Sequence, residues 1–108
     1  MIRWRRVNAW FDALGRRFAE AARGRGSEIA PPELDPQVAD EVLQLARVAA
    51  HTRERRFAPL ACFMAGVAVE RLRRAGSPSV ADEAAYLREI REAVEMSSEP
   101  VPGPPLDA

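Results

Sequence analysis

The stretch "DPQVADEVLQLARVAAHTRERRFAPL", residues 35–60, decides the fold because it holds a helix start, an apolar stripe and a polar turn in one run. Asp35 is a good N-cap, and Pro36 suits the first helical position, where no N–H is needed. Apolar residues then recur three and four apart, as one face of a helix requires. The stripe consists of Val38, Val42, Leu45 and Ala49, broadened by Leu43, Ala46 and Ala50. The stretch therefore predicts a helix over 36–52, followed by a turn.

The sequence before this stretch predicts a first helix over about 5–23. Its apolar residues also recur at helical spacing, and Gly24 is placed to end the helix in a left-handed conformation. Those apolar residues are Val7, Trp10, Phe11, Leu14, Phe18 and Ala21. The segment "GRGSEIAPPEL" that follows contains two adjacent prolines, so we expect an irregular connection there.

A third helix is predicted after the polar turn, over about 59–75. Pro59 suits its first turn and Gly76 its end. Its predicted buried face consists of Leu60, Phe63, Met64, Val67 and Leu72. Gly66 lies in the middle of this helix, where Gly costs about 1 kcal/mol relative to Ala. We therefore expect Gly66 to mark a close contact between helices.

A fourth helix is predicted over about 79–96. Ser79 can cap it, and the acidic Asp82 and Glu83 suit its first turn because the helix dipole is positive there. Its predicted inward face consists of Val80, Ala84, Leu87, Ile90 and Val94. The remaining segment, 97–108, has four prolines in twelve residues and is predicted to be a disordered tail.

No stretch alternates apolar and polar residues long enough to predict a strand. The predicted fold class is all-α, a compact bundle of four helices with short connections. The 108 residues fit one domain, which we place at 1–96. A chain of this size has a thin stability margin, so an unpaired apolar face would favour a protein partner or self-association.

The composition excludes several classes of function. Sixteen basic and sixteen acidic residues cancel, which argues against a nucleic-acid-binding protein. No segment has the roughly 18 apolar residues of a membrane span, and the N-terminus does not resemble a signal peptide. The single cysteine, Cys62, excludes an intramolecular disulfide. We therefore expect a cytoplasmic location.

The polar turn holds the best candidates for a ligand site. Arginines at 53, 55 and 56 precede the N-terminus of a helix, where free N–H groups attract anions. With Arg47 and the only histidine, His51, Arg55 forms a candidate site for a small anion. The alternative is a turn whose residues are charged only because they are exposed to solvent. Pro59 also removes one of the amide donors that an anion would need.

Nothing in the sequence indicates catalysis, a metal site or a cofactor. His51 has no second histidine or cysteine near it, whereas a metal site needs three or four ligands. We expect His51 to lie in the last turn of the second helix, where positive charge is favoured. Cys62 lies between apolar residues, as a small core residue would.

The aromatic residues of the first helix allow two interpretations. Trp4, Trp10, Phe11 and Phe18 lie among many arginines, a pattern that a membrane-surface helix also has. A helical domain this small needs its large side chains inside, so a core role is favoured.

Residues 34–69 resemble a small actinobacterial domain family of unknown function, found alone or appended to molybdenum-cofactor guanylyltransferases. The similarity lies in the second helix, the Arg and Pro turn and the start of the third helix. The matching residues are Leu43, Leu45, Ala46, Arg47, Ala50, His51, Arg55, Ala58, Pro59, Leu60, Phe63, Gly66 and Ala68. Trp10 and Leu14 also match the first helix of that family. The resemblance implies a helical accessory domain without a known catalytic residue.

The chain departs from that family pattern at four positions. A Gly and a Pro of the turn are replaced by Thr52 and Arg56, and two Thr by Ala61 and Cys62. A family-wide ligand site that used those hydroxyls would therefore be altered here. Our leading hypothesis is a non-catalytic interaction module linked to molybdenum-cofactor assembly or delivery. The alternative is a protein that binds a small anion or a cofactor at the turn through Arg47, His51 and Arg55. A third hypothesis is an enzyme that uses Cys62 or His51.

Overall fold

The computed structural model describes the backbone of residues 2–96 and the side chains of residues 8–96. It contains four helices: α1, Ile2–Gly24; α2, Pro36–Thr52; α3, Phe57–Ala75; and α4, Val80–Met96. No strand occurs among these residues, so the prediction of an all-α fold with four helices is confirmed. The predicted tail, 97–108, and the side chain of Trp4 lie outside the described residues.

The predicted caps of α2 and α4 are confirmed by their hydrogen bonds. The Asp35 carboxylate accepts from the N–H groups of Gln37 at 2.8 Å and Val38 at 3.2 Å. Ser79 and Asp82 cap each other reciprocally: the Asp82 N–H donates to Ser79 Oγ at 3.1 Å, and the Ser79 N–H donates to Asp82 Oδ2 at 3.0 Å. This capping box satisfies two N–H groups at the helix start.

The glycine that ends α1 was predicted incorrectly. Gly26, with φ of 84°, adopts the left-handed conformation, whereas Gly24 is still helical. The Ser27 N–H donates to the Ala22 carbonyl at 2.9 Å and the Gly26 N–H to the Arg23 carbonyl at 3.0 Å, which is the Schellman pattern. Both Gly24 and Gly26 can adopt the left-handed conformation. Which of them does so depends on where the last turn of α1 ends.

α2 lies at the centre of the fold and packs against both α3 and α4. The core is formed by Val38, Leu45, Ala65, Val69 and Leu87, with Val42, Ala61 and Tyr86 packed at its edge. α3 and α4 do not pack closely on each other, so a cleft remains between them above α2. The largest fully buried side chain is Leu87 of α4.

The predicted buried face of α3 is wrong for its largest residues. Leu60, Phe63 and Met64 are 47%, 73% and 70% exposed. Instead α3 buries Ala65 and Val69, with Ala61 beside them. α3 is apolar nearly all round, so its pattern does not choose a face. Small side chains permit a closer approach to α2, which directs the large residues outward.

The other two core helices deviate from prediction in fewer positions. On α2, Val38, Leu45 and Ala49 are buried as predicted, whereas Leu43 is exposed. On α4, two of the residues predicted to face inward are buried and two are exposed. Ala84 and Leu87 are buried, and Val80 and Ile90 are exposed.

Charged side chains connect the core helices at two places. Arg73 Nε and Nη2 of α3 donate to both carboxylate oxygens of Glu83 on α4, at 2.6 and 3.0 Å. Arg88 Nε donates to Glu41 of α2 at 3.1 Å, and Arg91 Nε lies 3.7 Å from the other Glu41 oxygen. These pairs link α4 to both of its neighbours.

α1 is held by the proline segment rather than by close packing on another helix. Gly15 is buried, and a Cβ at this position would collide with the carbonyl oxygen of Pro32. Phe11 and Leu14 are half-buried. Trp10 and Phe18 are 62% and 55% exposed, so the prediction that Trp10 and Phe18 belong to the core is wrong. None of the helices among the described residues has the length and hydropathy of a membrane span.

The close approach predicted at Gly66 is also wrong, because a Cβ there would meet open space. We expect Gly66→Ala to raise the free energy of unfolding by about 1 kcal/mol, since Ala favours a helix over Gly. The same change at Gly15 should lower it by about 1 to 3 kcal/mol, because the new methyl group forces α1 away from Pro32. Urea unfolding followed by circular dichroism measures both, and shifts of the same sign would contradict the expectation.

Candidate interaction surface

The outward residues of α3 form an apolar ridge made of Leu60, Phe63, Met64 and Val67, which we call the α3 ridge. Three- and four-residue spacing places them on one face of the helix. Met64 and Phe63 are the most exposed of them, while Val67 is half-buried. Large apolar side chains grouped on a surface mark an interaction site more often than a solvent face.

On one side of the α3 ridge lies an apolar groove of about 290 Å³ between α3 and α4, the α3–α4 groove. Leu45 of α2 forms its floor. Its walls are formed by Ala61, Met64, Ala65 and Ala68 of α3, and by Tyr86, Leu87, Ile90 and Val94 of α4. Tyr86 is half-buried and packs against the core at the edge of this groove.

On the other side of the ridge lies a second apolar hollow, toward α1. Phe18 of α1 and Pro32 face Phe63, Gly66 and Val67 of α3 across it. Arg71 and Arg74 lie at its end. Residues of α3 therefore line both the α3–α4 groove and the hollow that Phe18 of α1 borders.

The three residues of the predicted anion site are all exposed. His51 lies in the last turn of α2, as predicted, and Arg47 precedes it by one turn on the same face. The Arg47 guanidinium donates to Gln44 Oε1. Arg55 lies in the turn after α2, and no hydrogen bond joins its side chain to Arg47 or His51 among the described residues.

The amide donors that an anion would need at the start of α3 are occupied. The N–H groups of Phe57 and Ala58 donate to the carbonyls of Glu54 and Arg55, at 3.0 and 3.1 Å. Pro59 has no N–H, and it lies in the first turn of α3 rather than at its start. Anion binding at the turn stays a prediction, and its support is limited to the arginine side chains.

Cys62 faces α2 and is half-buried, with its Sγ 3.9 Å from the Val42 carbonyl oxygen. Burial raises the pKa of the Cys62 thiol. A raised pKa lowers the fraction of thiolate at neutral pH, which disfavours a nucleophile. Among the described residues, no group of three His, Cys, Asp or Glu side chains is arranged to hold a metal ion.

Two features of the structure are not predicted by the sequence. The α3 ridge has the spacing of a buried stripe, so the sequence predicts it to be core. The position of Glu83 predicts only an interaction with the helix dipole, whereas in the structure Glu83 is buried and pairs with Arg73. The pairing of an acid in the first turn of one helix with an arginine in the last turn of the preceding helix was a signal available in the sequence.

These features define a class: a small helical domain with an open apolar groove and no assembled catalytic group among its described side chains. Comparison with protein families shows to which family the chain belongs. It belongs to the family DUF6457, a domain of unknown function, whose model matches residues 3–100. Comparison with curated proteins and with solved structures gives no significant match. The predicted membership in a family of unknown function is thereby confirmed.

Proposed function

We propose that this domain is a non-catalytic interaction module that binds a helical segment of a partner protein in the α3–α4 groove. The observation that carries the proposal is the outward direction of Phe63 and Met64 beside an open apolar groove. Exposed apolar surface is disfavoured in water by roughly 25 cal/mol per Å². Covering it with an apolar partner recovers that free energy.

The shape of the groove favours a helix as its occupant. α2 packs on α3 and on α4, while α3 and α4 leave a cleft between them. A helix laid in that cleft would contact both walls and complete a four-helix arrangement, the usual way to bury such a face. Binding of an amphipathic helix in an apolar groove is a common recognition mode.

The partner that we propose is a molybdenum-cofactor guanylyltransferase or an enzyme that receives its product. This part rests on the resemblance of residues 34–69 to domains appended to such guanylyltransferases. An appended domain and a separate chain can serve the same contact, because a covalent link only raises the effective concentration of the two parts.

The test uses two methionines that are both highly exposed. Met64 lines the α3–α4 groove, whereas Met96 lies at the end of α4 outside the groove-lining set. We expect a purified guanylyltransferase from the same organism to bind the wild type and Met96→Glu in calorimetry. Met64→Glu should abolish the heat of binding, because a carboxylate would have to be buried in the groove.

The outcomes separate the two parts of the proposal. Equal binding by Met64→Glu and Met96→Glu would show that the groove is not the contact surface. No heat with the wild type would overturn the molybdenum-cofactor link. Light scattering on the domain alone tests the competing occupant, since a dimer that Met64→Glu dissociates would mean that a second copy covers the groove.

A further inference from the structure

The hollow between α1 and α3, which we call the α1–α3 hollow, combines an apolar wall with a positively charged end. Its volume is about 800 Å³, and its apolar lining comes from Phe18, Pro32, Phe63 and Val67. Three elements border it: α1, the proline segment before α2, and α3. Sites for small molecules are concave spaces of about 300 to 1,000 Å³ with a mostly apolar lining and few polar groups. The α1–α3 hollow has these properties.

Three charged side chains line the end of the hollow that lies toward the C-terminus of α3. Arg74 Nε donates to Glu70 Oε2 at 3.4 Å, and Arg73 Nη1 lies 3.9 Å from the other Glu70 oxygen. No hydrogen bond or ion pair joins Arg71 to another described residue. The acid at this end is therefore compensated, whereas the guanidinium of Arg71 is not. The hollow offers one uncompensated positive charge to a ligand.

Gly66 leaves room in the wall that α3 contributes. It lines the hollow, and a Cβ at this position would meet no atom within 4 Å. Glycine in the middle of a helix is destabilising relative to alanine, and no close approach of another element requires it here. A ligand in the hollow would use the space that a larger residue would fill.

We propose that the α1–α3 hollow binds a medium-chain fatty acid, with its alkyl chain between Phe18 and Phe63 and its carboxylate paired with Arg71. A guanidinium group can hold a carboxylate through two parallel hydrogen bonds. The apolar wall removes the alkyl chain from water, which is favourable. This site is separate from the α3–α4 groove, so the inference goes beyond the proposed function and does not depend on it.

The distance between the apolar wall and the charge sets the length of the chain. Phe63, Val67 and Arg71 follow one another at four-residue spacing, so they lie on one face of α3. From Phe63 to Arg71 the helix rises by about 12 Å, at about 1.5 Å per residue. An extended alkyl chain with carbon–carbon bonds of about 1.5 Å covers that distance in about nine carbons. The hollow therefore matches acids of about eight to ten carbons.

Other anionic occupants fit this site less well. Phe18 and Phe63 lie on different helices across the hollow, so a flat anionic membrane would contact its rim and leave the space between them empty. A nucleotide carries several negative charges, whereas this end of the hollow supplies one uncompensated cation. A single carboxylate on an apolar chain matches both the shape and the charge.

The experiment compares octanoate with octanamide, its neutral isostere, by calorimetry. We expect octanoate to bind the wild type about fivefold more tightly, which corresponds to about 1 kcal/mol, the upper value for exposed ion pairs. Arg71→Gln should bind the two compounds equally. Arg55→Gln is the matched control and should keep the preference, because Arg55 is also exposed and without an ion pair but lines a different hollow.

A series of acids tests the position of the alkyl chain. From hexanoate to decanoate, affinity should rise about twofold per methylene, which corresponds to about 0.4 kcal/mol, half of the value for complete burial. The gain is only half because the hollow is open to solvent on one side. Dodecanoate should gain nothing further, since its chain exceeds the apolar length of the hollow.

Gly66→Leu tests whether the hollow itself is the site. The leucine side chain should fill the hollow and abolish the binding of all these acids. Its unfolding midpoint should stay at or above that of the wild type, because the position faces open space and leucine favours a helix over glycine. The loss of binding would then not come from loss of the fold.

Met64→Glu separates this site from the α3–α4 groove, which Met64 lines. It should keep octanoate binding. In heteronuclear NMR of the wild type, octanoate should shift the signals of Phe18 and Val67 rather than those of Tyr86 and Ile90. Octanoate binding that is lost in Met64→Glu and kept in Gly66→Leu would overturn the inference.

Three further outcomes would also overturn it. A preference for octanoate that survives Arg71→Gln would show that another group holds the carboxylate, and its loss in Arg55→Gln would place the anion at the turn. No binding of millimolar octanoate by the wild type would exclude the site without bearing on the α3–α4 groove. Sedimentation with vesicles of anionic phospholipid in that case would show that a lipid surface meets these residues instead.

Discussion

Leu87→Ala is expected to lower the free energy of unfolding by about 3 kcal/mol, within the range of roughly 2 to 5 kcal/mol for leucine truncation in a core. Leu87 is 1% exposed and lies among the core residues of all three packed helices. The change removes apolar contacts and leaves a cavity that the surrounding helices fill only partly. Small domains are stable by only about 5 to 15 kcal/mol, so the effect is a large share of the total.

Leu43→Ala is the matched control, since it makes the same change at a leucine of α2 that is 63% exposed. Its effect should stay within about 0.5 kcal/mol, as is usual for surface positions. Urea unfolding followed by circular dichroism measures both variants at one pH. Similar midpoints for the two would mean that Leu87 is not the centre of the core.

Arg73→Gln is expected to destabilise the domain by about 2 to 3 kcal/mol at neutral pH, because it leaves the carboxylate of Glu83 buried without its partner. Glu83 is 3% exposed, and Arg73 holds both of its oxygens. This loss of stability is smaller than the roughly 3 to 5 kcal/mol expected when a fully buried pair is broken. The Arg73 side chain is half exposed, so solvent screens the interaction.

The same pair predicts a pH dependence of stability. The hydrogen bonds from Arg73 hold the pKa of the Glu83 carboxyl below its ordinary value, against the opposing effect of burial. A lowered pKa in the folded state contributes stability above the pKa of the unfolded chain, about 4.3 for glutamate. That contribution is lost as the pH falls from there through the folded pKa.

Glu83→Gln tests this dependence directly. The variant should be less stable than the wild type at pH 7, and the difference should shrink as the pH falls below about 4.3 through the lowered pKa of Glu83. Arg88→Gln serves as the comparison, because its partner Glu41 is more exposed than Glu83 and the pair should matter less. A wild-type advantage over Glu83→Gln that stays constant as the pH is lowered from 7 through the acid range would contradict the assignment.

The sequence determined the helices of this protein, because their signals are local. Asp35 with Pro36, Ser79 and Gly76 mark helix ends through hydrogen bonds or missing donors within a few residues. The bounds of α2 were therefore predicted to the residue. α3 begins two residues earlier than predicted, since the turn carbonyls of Glu54 and Arg55 already bind its first amides.

The candidate surface was decided by tertiary structure alone. On α3 both Ala61 with Ala65 and Leu60 with Met64 fit a helical stripe, and local spacing cannot rank them. Close packing on α2 selects the alanines, because a small side chain lets two helix backbones approach while Met64 would hold them apart. The large residues thereby face outward, beside a groove that is present because α4 packs closely on α2 and less closely on α3.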